Sequence, residues 1–206
     1  MNIKTSEGVK IMGKYNIAVI NKLNQCLGEN EIEKNIHKKI MESGELIKGS
    51  SKTEEISEWC FNAMTKMEEL LDEHIIKKVR EDCACLKGGK REKLCEEINK
   101  KFTTDEDRIK AVNESHFVFG HEIKMTGKGK YNVKYKDDNE PEKRCDCLGG
   151  RLNGLNKNWS KTWCYCCGGQ VKNHLETLLG KKFDVKIITS ALSSKGKNCY
   201  FELIEI

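Results

Sequence analysis

The sequence predicts an α+β protein, an N-terminal helical part packed on a four-stranded antiparallel sheet with a covering helix. Three observations carry this. Apolar residues recur at three- and four-residue spacing up to about residue 111, the period drops to two after about residue 114, and a single proline interrupts 206 residues. The boundary falls between a helical part, 1–111, and an α/β part, 112–206, expected to form one compact unit.

The first helix is expected over about 13–27 and ends at Gly28. Ile32, Ile36, Ile40 and Leu46 lie close to one stripe of the next. Ser51 and Glu54 have capping-box spacing, and behind them Ile56, Trp59, Cys60, Ala63, Met67, Leu70, Leu71 and His74 continue one amphipathic helix to about residue 80. A shorter helix from Arg91 to about Phe102 carries Leu94, Cys95 and Ile98, and Thr104 caps one or two further turns through Val112. Phe117, Phe119, His121, Ile123 and Met125 then alternate as a strand. Thr126 to Lys130 supplies a turn, and Tyr131, Val133 and Tyr135 complete a hairpin. A polar stretch, 137–161, precedes a helix over 168–179 closed by Gly180. Strands over 183–189 and 198–206, joined through 193–197, finish the chain.

Composition excludes several classes. No window approaches the roughly 20 apolar residues of a membrane-spanning helix, and the start lacks a secretory core, so a cytoplasmic protein is expected. With 37 basic against 32 acidic residues the net charge is only +5, too balanced to imply nucleic acid. A helix-turn-helix within 13–47 would present just Lys34, Lys38 and Lys39 to DNA.

Eleven cysteines are the informative count. In a reducing compartment, clustered thiols point to metal or redox chemistry before disulfides. Eight of the eleven cluster: Cys83, Cys85 and Cys95 early, then Cys145, Cys147, Cys164, Cys166 and Cys167. The late set reads C-x-C, sixteen residues, C-x-x-C, and two such pairs can surround a tetrahedral zinc once the loop folds back. Cys166 could replace Cys167 in that set. Lys143, Arg144, Arg151, Lys157 and Lys161 stand in the same segment to balance thiolate charge. The early set offers three ligands and an open position, with Cys60, His74 or a late sulfur as a fourth. Its competing reading leaves Cys95 in the core. Cys26, Cys60 and Cys199 are expected to be buried. An iron–sulfur cluster on the same thiols is the alternative to zinc.

No familiar catalytic set is present. His116 and His121 fall on opposite strand faces, and the glycine pairs lack a phosphate-loop frame. His174 reads as a surface residue that could also support a sulfur. A small apolar ligand could lie between helices and sheet against Phe117, Phe119, His121, Tyr131, Val133, Phe201 and Leu203.

The C-terminal stretch from Trp163, with Cys164, Gly168, Glu176, Leu179, Gly180, Val185, Gly196, Cys199 and Phe201, resembles the end of four-vinyl-reductase-type domains. These belong to the heme-nitric-oxide and vesicle-tethering ligand-binding superfamily. A closer likeness, through repeated C-x-C and Ser160-Lys-Thr-Trp-Cys-Tyr-Cys166, is to a cysteine-rich bacterial and archaeal family. Some of its members are named L-2-amino-thiazoline-4-carboxylic acid hydrolases. The resemblance implies helices on an antiparallel sheet, often a homodimer, and links to small hydrophobic ligands, tetrapyrrole biosynthesis and redox or metal sensing. The N-terminal hundred or so residues and the cysteines near 83 and 145 depart from the general pattern. The expectation is therefore a zinc-thiolate protein that binds or senses a small ligand. The competing classes are an iron–sulfur redox protein and a zinc hydrolase of a small amidine or thiazoline, with Glu176 or His121 carrying the proton.

Overall fold

The computed structural model describes residues 17–85, 88–115, 118–119, 122–135, 145, 147, 152, 157–193 and 198–206. The helical part begins with α1 (Ala18–Glu29) and α2 (Lys34–Ile40), followed by a single 3-10 turn, Gly44–Leu46. Gly28 lies inside α1, and the stop comes at Asn30. The Asn30 side chain donates to the Cys26 carbonyl at 2.9 Å and to Asp82 Oδ2 at 3.1 Å, which ties the end of α1 to a later helix.

The long helix expected to reach residue 80 is two helices, α3 (Thr53–Leu70) and α4 (Glu73–Asp82). Leu71 and Asp72 are both extended, with ψ 148° at each. The Leu71 amide still closes α3 on Met67, while the Ile75 and Ile76 amides return to the Asp72 carbonyl. Spacing alone misses such a break because buried apolar positions continue on both sides of it: Met64 and Met67 before, Ile76 and Val79 after. The cap also shifts by one residue. Glu55 Oε2 accepts from the Lys52 amide at 3.0 Å, and Ser51 Oγ instead accepts from the Lys48 amide.

Helices α5 (Lys90–Lys101) and α6 (Asp105–Ser115) lead to the hairpin β1 (Glu122–Gly127) and β2 (Lys130–Lys134). Strand β1 is shorter than its alternation suggested. Val118 and Phe119 are buried ahead of it, Ile123 is buried within it, and Met125 is exposed. Phe117 and His121 lie outside the described residues. Helix α7 (Tyr165–Leu179) ends at Gly180 with φ 69°, as a glycine stop requires. It begins three residues earlier than predicted, with Cys164 at its N-cap, so Cys166 and Cys167 occupy its first turn. Strands β3 (Phe183–Thr189) and β4 (Tyr200–Glu205) complete one sheet in the order β1-β2-β4-β3, antiparallel throughout.

Register follows burial. Phe201 pairs with Val133 and Ile187, and Leu203 with Tyr131 and Val185, so the inward residues of three strands share one face. Two apolar clusters result. One joins α1–α4 with Trp159, Trp163, Cys145 and Cys166, and the other joins the sheet, α5, α6 and the body of α7. Tyr165 and Cys167 touch both.

Candidate metal centre

The end of α4 and the start of α7 meet at Gly169. A Cβ at that position would stand 2.3 Å from the Glu81 carbonyl oxygen and 2.6 Å from its Cα, so the approach requires a residue without a side chain. Lys172 Nζ closes the crossing on Glu81 Oε2 at 3.0 Å. Cys85, just beyond Cys83 at the C-cap of α4, is thereby brought to Cys166. Cys166 lies close enough to the Cys85 and Cys167 thiols to push both of them up. Cys147 from the loop places its Sγ 3.7 Å from that of Cys167. The result is a string of four sulfurs drawn from three segments of chain. Beside it, Cys83 is hydrogen-bonded to Cys26 of α1.

Arg80 lies among these sulfurs with no exposed surface. Its Nη2 donates to the Trp163 carbonyl at 3.0 Å, its Nε points at the Thr162 carbonyl at 3.4 Å, and the guanidinium sits 4.7 Å from the centre of the Trp163 ring. Nη1 is buried without an acceptor among the described residues. Burial works against the Arg80 charge, but Cys83, Cys166, Cys60 and Cys85 outweigh it and hold its pKa up. The Cys83 thiol is drawn down to about 7, first by the hydrogen bond from Cys26 and, against burial, by Arg80. Its partner Cys26 is pushed up, as is Cys85 by Cys166 beside it. Cys60 is raised to about 12 by burial.

A model of DUF6144, a family of unknown function, matches residues 20–205. The chain belongs to this family. The match runs from α1 to the end of β4 and so contains every described cysteine of the site. No curated protein and no solved structure matches the chain. None of this bears on the likeness to four-vinyl-reductase-type domains.

Against this family member's sequence-predicted site, the sulfurs divide. Cys85, Cys147, Cys166 and Cys167 come together, and Cys145 is buried in the same apolar cluster as Cys166. Cys164 turns instead to Ser190, donating to its Oγ at 3.2 Å. Cys95 stands apart, fully buried in the sheet's cluster, so the early three-cysteine set does not assemble. Among the described residues, no group of three or more His, Cys, Asp or Glu is arranged as a preformed metal site. The sulfurs form a string of contacts, not a cage.

The described residues of the expected ligand space pack against one another or against neighbouring side chains. Tyr131 packs edge-on to Phe183 with its hydroxyl 3.1 Å from Asp105 Oδ2, Phe201 packs against Tyr135, and Phe119 against His174. None of the four cavities described here has Phe119, Tyr131, Val133, Phe201 or Leu203 in its wall. His174 is buried, contrary to the surface position predicted for it. Glu176 accepts from the Phe183 amide and from Lys182, a structural assignment away from the sulfurs.

Two of the five basic residues predicted to balance thiolate charge are described. Lys157 pairs with Glu58 at 2.8 Å and Lys161 donates to the Ile187 carbonyl, while 143, 144 and 151 lie outside the described residues. Among the described residues, a buried cation at the sulfurs is Arg80, which sequence reading missed. Its signal was available: it falls in the buried stripe Ile76, Val79, Cys83, where a charge is out of place. Among the described residues no helix is long and apolar enough to cross a membrane.

Proposed function

We propose that this protein binds a divalent soft metal ion, zinc, through thiolates of Cys85, Cys147, Cys166 and Cys167, in a structural or sensing role and not for turnover. The observation that supports this is the sulfur string linking three chain segments. Four sulfurs about 2.3 Å from one tetrahedral ion lie roughly 3.8 Å from one another. The 3.7 Å between Cys147 and Cys167 is already of that size. As thiols, Cys147 and Cys167 hydrogen-bond to each other. Loss of the thiol protons on binding removes that bond and frees the sulfurs to gather round the ion.

Burial is graded across the four sulfurs. Cys166 is buried, Cys147 and Cys167 are half-buried and Cys85 is exposed, so a bound ion would be shielded on the side facing the helical core and open on the side of Cys85. Such an ion would also fix the loop that carries Cys147, giving metal occupancy a structural consequence.

The test is elemental analysis with an absorption spectrum on protein purified anaerobically without a metal-affinity tag. The expected result is colourless protein with about one zinc per chain. Cys147→Ser and Cys167→Ser should each lower that content, whereas Cys95→Ala, in the other cluster, should retain it. Brown protein would assign an iron–sulfur cluster to these thiols. Folded, metal-free protein with every thiol open to an alkylating reagent would overturn the reading.

A further inference from the structure

A guanidinium removed from water needs an anion, and Arg80 finds none among the described carboxylates. Its partners are two carbonyl oxygens and the face of Trp163, which orient the group but do not cancel a full charge. One donor, Nη1, is buried with nothing among the described residues to receive it. The groups that face it are sulfurs from three elements: Cys83 and Cys85 at the end of its own helix, Cys60 on α3 and Cys166 on α7.

We propose that Arg80 is the fixed counter-cation of the sulfur centre, holding the negative charge that thiolate ligands carry and so setting how tightly the centre retains a divalent soft cation. This rests on the thiolate–metal reading above. A divalent ion on four thiolates leaves a net charge of about −2, which a dry helical core would reject unless a cation were built in. Arg is suited to this place because it does not lose its proton in proteins, so its charge survives burial. The positions on the two helices make the need unequal. Cys166 and Cys167 lie in the first turn of α7, where the helix dipole favours negative charge. Cys83 and Cys85 lie at and beyond the last turn of α4, where the dipole opposes it. Arg80 stands one turn before Cys83, on that disfavoured side. It acts through the ligands, as a positioning residue.

The experiment compares the full-length wild type with Arg80→Met, Arg80→Gln and Arg80→Lys. Zinc affinity is measured by competition with a chromogenic chelator, and cobalt(II) is substituted to read thiolate ligation from its charge-transfer absorption. The neutral variants should bind zinc about 10- to 100-fold more weakly and show a diminished thiolate–cobalt band, while Lys restores affinity to within about threefold. Gln keeps a donor for the Thr162 and Trp163 carbonyls, so it covers the case in which Met does not fold. A merely structural Arg80 would leave Lys no better than Gln, and that result would overturn the counter-ion role, as would equal affinity in all four proteins. In either case a metal-binding wild type leaves the thiolate–metal reading standing. A wild type that takes up neither zinc nor cobalt overturns both.

Discussion

His37 sits on α2 with 4% of its surface exposed, its Nε2 2.8 Å from Asn24 Oδ1 on α1. Burial lowers its pKa below the ordinary 6.5, so the folded protein holds it neutral where the unfolded chain takes up a proton. Between the unfolded pKa and the lower folded one, the unfolded state binds more protons. The contribution of His37 is therefore complete above about pH 6.5 and is lost as the pH falls through the folded value. His37→Gln retains a donor for Asn24 without the titration. Urea midpoints taken from about pH 7.5 down to about pH 5 should fall more steeply in the wild type than in the variant. Parallel slopes would show that His37 does not set this dependence. The residue scale is also where sequence reading was uneven. Short spacings placed Cys147 beside Cys167, because a returning loop brings paired thiols together. The same logic failed for Cys95, which α5 carries into the other cluster.

At the scale of elements, the site depends on one helix crossing. Gly168 and Gly169 are adjacent in α7 but face different neighbours. A Cβ on Gly168 would stand 3.4 Å from Val185 Cγ1, an ordinary contact, while one on Gly169 would overlap the Glu81 backbone. Gly168→Ala should change stability little. Gly169→Ala must push α4 from α7 and should cost about 1–3 kcal/mol by overpacking, against the small gain from a better helix former. Denaturant unfolding of the two variants checks the difference, and the Gly169 variant should also lose metal, because the crossing is what presents Cys85 to Cys166. Equal stabilities would mean that the crossing is not under the constraint its geometry implies. The elements themselves were largely readable. Periods of three to four and of two separated helix from strand, and glycine marked the end of α7. Breaks within a continuing stripe, as at Leu71, and the early start of α7 were not readable, since tertiary contact sets them and local spacing does not.

Across the whole molecule, the two apolar clusters do not follow the division at residue 111. Helices α5 and α6 pack with the sheet, and Trp159 and Trp163 pack with α1–α4. Helix α7 links them, with its thiol-bearing first turn against the helical cluster and Leu175, Leu178 and Leu179 in the other. A centre at that first turn should therefore stabilise the helical cluster more than the sheet. All three tryptophans report on it, since Trp59, Trp159 and Trp163 belong to the helical cluster. Removing the proposed metal with a chelator under reducing conditions should shift tryptophan fluorescence. In hydrogen exchange it should lower protection in α1, α3 and α4, while β2 and β4, held by the second cluster, keep theirs. Treating Cys147→Ser in the same way should give little further change, because its site is already weakened. Loss of protection spread evenly over the sheet and the helices would show instead that the clusters unfold as one cooperative unit and that the centre acts on both alike.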